Sequence, residues 1–405
     1  MSSRLKYFVV SSSTLLTLLL LIGSVLGQGA SSDDTYKHIG VFTDVVSRIK
    51  TEYVEEPDMK SVTLGALNGM LEAIDPFASY LNADQYKDYL KNRDVKRADV
   101  GLILSKKFGY VGVVGVVPGS PAAKAGFATG DMIESIKDVA TRDMPLAYAD
   151  LLLRGDPGSV VELSVVRVQK PEPTSVKLTR ANLTLPAVET AMLPGQVAYI
   201  KPGALSSAKV KETAAEIQKV QKDGAQKLII DLRNTAVGEP EDGIAFANLF
   251  LNKGRITYLQ GQRYPRKNFD ADASKAITNL PVAVLTNRGT ASASEITAAA
   301  LMDNKRAELV GEPTYGDASL RNAINMEDGS AIILSVAKYY TPDGKSIQDN
   351  RVTPKNQVLQ AEPLPEFDDN GEPLPETKDQ QQPQQQKKLE EDPAVKKALD
   401  LLGVK

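Results

Sequence analysis

The chain has 405 residues, of which 42% are apolar and 24% charged, with 48 Lys and Arg against 51 Asp and Glu and a formal net charge of −3. This length is too great for one ordinary hydrophobic core and predicts two or three domains. The balanced charge argues against nucleic acid as a partner. Because the sequence contains no cysteine, disulfides, thiolate metal sites, a lipidated cysteine and a cysteine nucleophile are excluded.

The first thirty residues differ from the rest of the chain. Arg4 and Lys6 precede an apolar run over 7–26, and a stretch of small residues ends at Ala30. This is the pattern of a secretory signal, and about twenty apolar residues are also long enough to span a bilayer uncut. We therefore expect an exported protein whose segment 1–30 is a cleaved signal peptide or a retained signal anchor.

The next region, 36–95, shows helical spacing of its apolar residues. Two predicted helices carry apolar positions three and four residues apart, at Ile39, Phe42, Val46, Ile49 and Tyr53, and at Leu64, Leu67, Leu71 and Ile74. A third, short helix is predicted over 83–90. Such a thin layer buries its apolar stripe against the rest of the chain or against a second copy, so internal packing and a homodimer both stay open.

Short apolar runs alternate with turn signals over 96–170. The runs are 100–104, 111–117 and 160–168, and the turn dipeptides are Pro118-Gly119, Gly130-Asp131 and Pro157-Gly158. This pattern predicts a small β-rich module with two short helices.

Strand and helix signals alternate over 171–360. Predicted strands at 197–201, 228–232 and 282–286 are separated by predicted helices near 208–222 and 244–251, and a further helix follows from Ser294. Alternation of this kind is typical of a partly parallel sheet with crossover helices. We therefore predict a multidomain α/β protein with an α/β core.

The last region, 361–405, is predicted to be a tail. It is rich in Pro, Gln, Asp and Glu, including the run 380–386, and carries too few apolar residues to offset the entropy of ordering. Leu399, Leu401 and Leu402 at its end are compatible with a short docking helix or with a frayed terminus.

One motif within the β-rich module resembles the PDZ signature. It reads Gly115-Val-Val-Pro-Gly-Ser-Pro-Ala-Ala-Lys-Ala-Gly-Phe-Ala-Thr-Gly-Asp-Met-Ile133, a strand followed by a Ser-Pro-Ala turn, a helix and a Gly-Asp turn. PDZ modules bind a peptide C-terminus as an added strand and hold its carboxylate with backbone N–H groups. The resemblance implies that peptide C-termini bind at Val100, Gly101, Leu102 and Ile103.

Further motifs resemble the carboxyl-terminal processing (tail-specific) serine proteases. They are Leu67-Asn-Gly-Met-Leu-Glu-Ala-Ile-Asp-Pro76, Ser79-Tyr-Leu81, Ile230-Asp-Leu-Arg233, Asn287-Arg-Gly-Thr-Ala-Ser-Ala-Ser-Glu295, Gly311-Glu-Pro-Thr-Tyr-Gly316 and Tyr339-Tyr-Thr-Pro-Asp-Gly-Lys-Ser-Ile347. The resemblance spans roughly 36–360 and implies a peptidase core of the ClpP/crotonase-like type in a protein of the bacterial periplasm or inner membrane.

The same resemblance implies a Ser–Lys mechanism, in which a desolvated lysine activates the serine. The nucleophile position is Ser292, and the N–H of Ala293 is an oxyanion donor. Counted without gaps, the lysine position holds Asp317 and the position of its supporting glutamine holds Arg321. The Gly-rich stretch that usually follows Asp-Leu-Arg is changed over 234–238. Asp317 and Arg321, four residues apart, are expected to form an ion pair.

These departures predict a homologue whose proteolysis is lost or weakened. It is expected to bind protein C-termini, and its partner would be a partner protease or an exported substrate protein. An aspartate, with an ordinary pKa of about 3.9, is a weak base for a serine hydroxyl. The alternative is an active serine endopeptidase that uses Ser292 with an unusual base. No spacing matches a metal-ligand set, so neither a metal nor a cofactor is expected.

Overall fold

A computed structural model describes residues 32–93, 97–107, 109–142, 144–168, 170–359 and 389–404. The predicted signal segment 1–30 and most of the predicted tail lie outside the described residues. The chain divides into two compact units, with the boundary after Gly65. Within the described ranges, no helix is long and apolar enough to cross a membrane.

The helices follow the predicted apolar periods closely. The labelled α-helices of the described ranges are α1 (Ser32–Glu52), α2 (Met59–Glu72), α3 (Ala83–Asn92), α4 (Pro121–Lys124), α5 (Leu146–Leu153), α6 (Ser207–Lys222), α7 (Pro240–Asn248), α8 (Ala293–Asp303), α9 (Ile347–Asn350) and α10 (Pro393–Leu401). Side-chain caps fix where several helices begin. For example, the Asn82 side chain caps α3 by accepting from the N–H of Gln85, as expected of an N-cap asparagine.

The strands form three sheets. They are β1 (Ser79–Leu81), β2 (Leu102–Lys107), β3 (Tyr110–Val116), β4 (Met132–Ile136), β5 (Val139–Ala140), β6 (Val160–Arg167), β7 (Lys170–Thr179), β8 (Glu189–Leu193), β9 (Val197–Lys201), β10 (Lys227–Asp231), β11 (Arg255–Gln260), β12 (Lys267–Asp270), β13 (Val282–Thr286), β14 (Ala307–Gly311), β15 (Ser319–Asn325), β16 (Ala331–Tyr340) and β17 (Asn356–Gln357).

The first unit contains α1, whose apolar stripe is solvent-exposed in the single chain. Ile39, Phe42 and Tyr53 are 54%, 44% and 62% exposed. Within its own unit, the stripe therefore does not form a buried core.

The predicted PDZ module is built on one antiparallel sheet of order β2-β3-β4-β6-β7, with β5 paired to β4. Its apolar core includes Val111, Ile133 and Val161. The predicted boundary at 170 is too early, because β7 pairs along its length with β6 and an isolated bridge joins Asp99 to Ala181. The strand continues because cross-strand pairing orders a segment too polar to be recognised by its apolar content.

The α/β core contains a six-stranded sheet of order β17-β14-β13-β10-β9-β8. Its central pairs are parallel and β8 is antiparallel to β9, as predicted for a partly parallel sheet. A second, antiparallel sheet of order β1-β16-β11-β12, with β15 on β16, was not predicted. Its edge strand β1 comes from the region predicted to be helical only. Three residues are too few to show a strand period.

The C-terminal end was predicted to be either a short docking helix or a frayed terminus, and the structure shows the helix α10. In α10 the small residues Ala394, Val395 and Ala398 are fully buried against the parallel sheet, whereas Leu401 stays 37% exposed. Small side chains allow the short helix to approach the sheet closely.

Candidate active site

Ser292 lies at the turn between β13 and α8, immediately before the first helical residue, Ala293. Its φ of 54° and ψ of −118° are unusual for a residue with a side chain and store backbone strain at a sharp strand-to-helix turn. The Ser292 hydroxyl donates to the Gly238 carbonyl at 3.2 Å. The N–H of Ala293 has no partner within the helix. This geometry fits a nucleophile beside an oxyanion donor.

The segment 234–238, which departs from the family pattern, lies beside this turn. Asn234 exchanges two hydrogen bonds with Asn287, each of 2.9 Å. Gly238 has a φ of 144°, and a Cβ there would lie 2.7 Å from the Leu205 carbonyl oxygen and 3.0 Å from the Ala293 Cβ. Only glycine fits this close approach. The changed sequence therefore keeps the contact with α8 while altering the residues beside Ser292.

Glu295, one turn into α8, joins Ser292 to the predicted base position. Its Oε2 accepts from the N–H of Ser292 at 3.1 Å and from the N–H of Asp317 at 2.7 Å. Its Oε1 accepts from the N–H of Gly316 at 2.7 Å and from the Thr314 hydroxyl. One fully buried carboxylate therefore holds the 314–317 loop, which carries Asp317, against the start of α8.

The family resemblance assigns no role to Glu295, although this residue ends the motif Asn287–Glu295. The signal that identifies it is the spacing Ser292-x-x-Glu295, which is that of a capping box at a helix start. Its hydrogen bonds to the 314–317 loop join it to a segment about twenty residues away, so no local sequence pattern predicts them.

The expected ion pair between Asp317 and Arg321 is present. The Arg321 Nη2 donates to the Asp317 Oδ1, and the two side chains are 29% and 14% exposed. The Arg321 guanidinium also stacks on the Phe77 ring, 4.0 Å from its centroid. A cation–carboxylate pair thus occupies the positions that the family resemblance gives to lysine and glutamine.

The pKa of Glu295 is raised from 4.5 to about 7, mainly by burial and also by the nearby Asp317 charge, although the donors from Thr314, Gly316 and Asp317 lower it in part. A carboxyl with this pKa changes its charge near neutral pH.

We predict that stability falls as pH rises towards and through 7. The raised pKa makes the folded state hold the Glu295 proton more tightly than the unfolded state, so its stabilisation is complete below the unfolded value of 4.5 and is lost as pH rises through about 7. The difference amounts to about 3 kcal/mol. Urea unfolding at several pH values measures it, and Glu295→Gln should flatten the slope over this window. An equal slope in both proteins would refute the assignment.

The predicted peptide-binding loop leads into the edge strand of the PDZ sheet. Gly101 has a φ of 85°, and a Cβ there would lie 2.3 Å from the Ser120 Cβ. Its N–H is held by the Asp99 carboxylate at 2.7 Å. Leu102 begins β2, which is the edge strand on that side of the sheet. Val100 and Leu102 are buried and Ile103 is half-buried.

Two family profiles match this chain. A profile described as peptidase family S41 covers 196–358, and a PDZ-domain profile covers 112–167. The first includes Ser292, Asp317 and Arg321, and the second includes the Ser-Pro-Ala turn. The predicted combination of a PDZ module with an α/β peptidase core is thereby confirmed.

Similar proteins extend the match over most of the chain. A carboxy-terminal-processing protease of Bartonella bacilliformis is 30% identical over 371 residues, which cover 90% of this chain and 84% of the relative. The carboxy-terminal processing protease CtpA of Bacillus subtilis is 30% identical over 378 residues, covering 91% of this chain and 79% of the relative.

Among solved structures, the photosystem II D1 C-terminal processing protease is similar with a TM-score of 0.64 at 26% identity, covering 78% of this chain and 92% of its own. The fold, the serine at the start of α8 and the similarity to whole proteases all point the same way. The chain therefore belongs to the carboxyl-terminal processing protease family, with a PDZ domain and a peptidase family S41 core.

Proposed function

We propose that this homologue binds protein C-termini through its PDZ domain in the cell envelope, and that its proteolysis is lost or strongly weakened. The observation that carries the proposal is the ion pair of Asp317 with Arg321 at the positions where the family has a base lysine and its supporting glutamine. A carboxylate paired with a guanidinium supplies no neutral amine to take the serine proton. The nucleophile position Ser292 is kept without its partner.

The PDZ domain supports the binding half of the proposal. Its edge strand β2 and the Gly101 loop are the elements that receive an added peptide strand and its terminal carboxylate. The partner class is a protein with an apolar C-terminus, either an exported substrate protein or a partner protease. The N-terminal pattern of 1–30 supports the envelope as the location.

The exposed apolar stripe of α1 supports a homodimer through the N-terminal helices as part of the same proposal. Contiguous exposed apolar side chains of this kind mark interaction surfaces. The mass of the protein in solution tests it.

Cleavage of an unfolded protein with an apolar C-terminus tests the loss of proteolysis. We expect the wild type and Ser292→Ala to be equally silent, because losing a general base lowers the rate by about two to four powers of ten. A serine-directed phosphonate should leave Ser292 unlabelled. Ser294→Ala, a change at a fully buried neighbour, is the matched control. Cleavage by the wild type that disappears only in Ser292→Ala would overturn the proposal.

A serine endopeptidase with an unusual base is the second candidate, favoured by Glu295. Its Oε2 accepts from the Ser292 backbone N–H at 3.1 Å, and its raised pKa of about 7 suits a general base at neutral pH, but the Ser292 hydroxyl would have to turn from the Gly238 carbonyl towards the carboxylate. This candidate requires activity that depends on both side chains. Cleavage lost in Glu295→Gln as well as in Ser292→Ala would favour it.

A further inference from the structure

The groove of the PDZ domain is already in contact with a segment of the same chain. The segment is 75–79, between α2 and β1. The Pro76 carbonyl accepts from the N–H of Lys106 at 2.9 Å, and Lys106 belongs to the edge strand β2. An added peptide strand would use N–H groups on this same edge.

The segment also reaches the helix on the other side of the groove. The Ser79 hydroxyl accepts from the N–H of Ala147 at 3.1 Å, in the first turn of α5. Between these two bonds, Phe77 is only 4% exposed and belongs to one apolar cluster with Leu102 and Leu104 of β2. The same cluster includes Leu146 and Leu153 of α5, so Phe77 is buried among the side chains that line the space between β2 and α5.

The same segment is joined to the altered catalytic positions. The Phe77 ring meets the Tyr315 ring edge to face, with centroids 6.1 Å apart, and the Arg321 guanidinium covers Phe77 at 4.0 Å. The Tyr315 hydroxyl in turn bonds to Ser105 of β2. A strand added at β2 would therefore disturb the loop that carries Asp317.

The buried Asp75 carboxylate anchors the segment at its start. Its Oδ1 accepts from the N–H of Phe77 at 3.0 Å, and its Oδ2 accepts from the N–H of Ser335 in β16 at 3.1 Å. The anchor connects the segment to the antiparallel core sheet. Displacement of Phe77 can therefore occur by a local movement of 76–78 while Asp75 and the pairing of Ser79 with Ile333 of β16 stay in place.

We propose that 75–79 is an internal ligand of the PDZ groove, held there by Arg321, and that a peptide C-terminus binds by displacing it. The inference rests on the proposed binding of peptide C-termini. Since the internal ligand presents an aromatic side chain after a proline, the competing peptide is one with a large apolar side chain near its free carboxylate. Peptide binding and the Arg321–Phe77 stack exclude each other.

The affinity of a labelled peptide with an apolar C-terminus tests the proposal. Arg321→Gln removes the cation over Phe77, and Phe77→Ser removes the side chain that fills the groove. Each should tighten peptide binding about tenfold, because the competing closed state is weakened. Arg266→Gln is the matched control, since it removes a guanidinium stacked 3.6 Å from the Tyr258 ring on the core sheet. The same peptide with an amidated C-terminus reports whether the carboxylate is recognised.

The outcomes separate this inference from the proposed function. The internal ligand is supported if Arg321→Gln and Phe77→Ser bind the peptide more tightly than the wild type and Arg266→Gln do. This holds also if peptide binding by the wild type is too weak to detect. Equal affinity in all four proteins overturns the internal ligand and leaves C-terminus binding intact. No binding by any of them, or equal binding of the amidated peptide, removes the proposed C-terminus binding and with it the internal ligand.

Thiol labelling gives a second readout that needs no large change in the groove. The chain has no cysteine, so Ala78→Cys, at a position only 7% exposed, introduces a single reporter. Saturating peptide should raise its alkylation rate about tenfold or more. Ala225→Cys, at a position 6% exposed, should not respond. An unchanged rate at position 78 while peptide is bound would show that the segment stays in place and would refute the inference.

Discussion

Asp317→Lys combined with Arg321→Gln is expected to cleave an unfolded protein with an apolar C-terminus at least about a hundredfold faster than the wild type. The Glu295 carboxylate holds the N–H groups of Ser292 and Asp317 within 3.1 Å and 2.7 Å, so a lysine at position 317 extends from a backbone already fixed beside the nucleophile. The buried surroundings favour its neutral, basic form.

Arg321 has to change together with Asp317. A lysine at 317 beside Arg321 would place two cations together in a site where the two side chains are now 14% and 29% exposed. Asp317→Lys alone should therefore gain less activity than the double variant. The altered segment 234–238 remains next to α8, and we expect it to keep the double variant below the rate of an unaltered family member.

The control is the same double variant with Ser292→Ala, which should be silent. Cleavage that persists in this triple variant would come from another enzyme in the preparation. A folded double variant with no Ser292-dependent cleavage would contradict the view that the missing lysine is the main reason for inactivity. The changed 234–238 segment would then be the next position to restore.

Arg233→Met is expected to lower the free energy of unfolding by about 3–5 kcal/mol. Arg233 donates to Asp231 at 2.6 Å and to Asp392 of the C-terminal segment at 2.7 Å. Asp231 is 1% exposed and also accepts from the Tyr199 hydroxyl at 2.7 Å. Removing the guanidinium leaves a buried carboxylate without its cation and breaks the ion pair with Asp392, whose other oxygen caps α10 by accepting from Ala394 and Val395.

The pH dependence has a defined sign. Burial raises the pKa of Asp231, but the charge and hydrogen bonds of Arg233 outweigh it and hold the pKa below the usual value. A lowered folded-state pKa stabilises the protein above the unfolded value of 3.8, and this stabilisation is lost as pH falls through the folded value. Arg233→Met should lack this acid-dependent loss.

Urea unfolding followed by circular dichroism measures both effects. Asp392→Asn should cost less than Arg233→Met, because Asp231 keeps its cation. Arg48→Met is the surface control: Arg48 pairs with Asp44 at 3.2 Å with side chains 64% and 65% exposed, and such pairs contribute less than about 1 kcal/mol. A loss in Arg233→Met no larger than in Arg48→Met would mean that the buried network is not a source of stability.

Local patterns were sufficient for most of the secondary structure. The all-apolar run of β13, fully buried in the structure, and the helical periods of α1 and α6 are signals within a few residues. Strands β1 and β7 were missed because pairing rather than apolar content orders them: β1 pairs with the distant β16, and the polar β7 pairs with β6. The apolar content of a short window records neither pairing.

The sequence by itself determined the family, the combination of a PDZ domain with an α/β peptidase core and the placement of Ser292 at a helix start, because residue identity and spacing carry these. It also indicated the Asp317–Arg321 pair. Only the tertiary structure decided that Glu295 joins Ser292 to the 314–317 loop, that α10 and Asp392 complete the buried Arg233 network, and that Phe77 joins the apolar cluster of the PDZ domain under Arg321. Those contacts join residues about twenty to more than two hundred positions apart, and they exist only after packing has brought the segments together and removed water from between them.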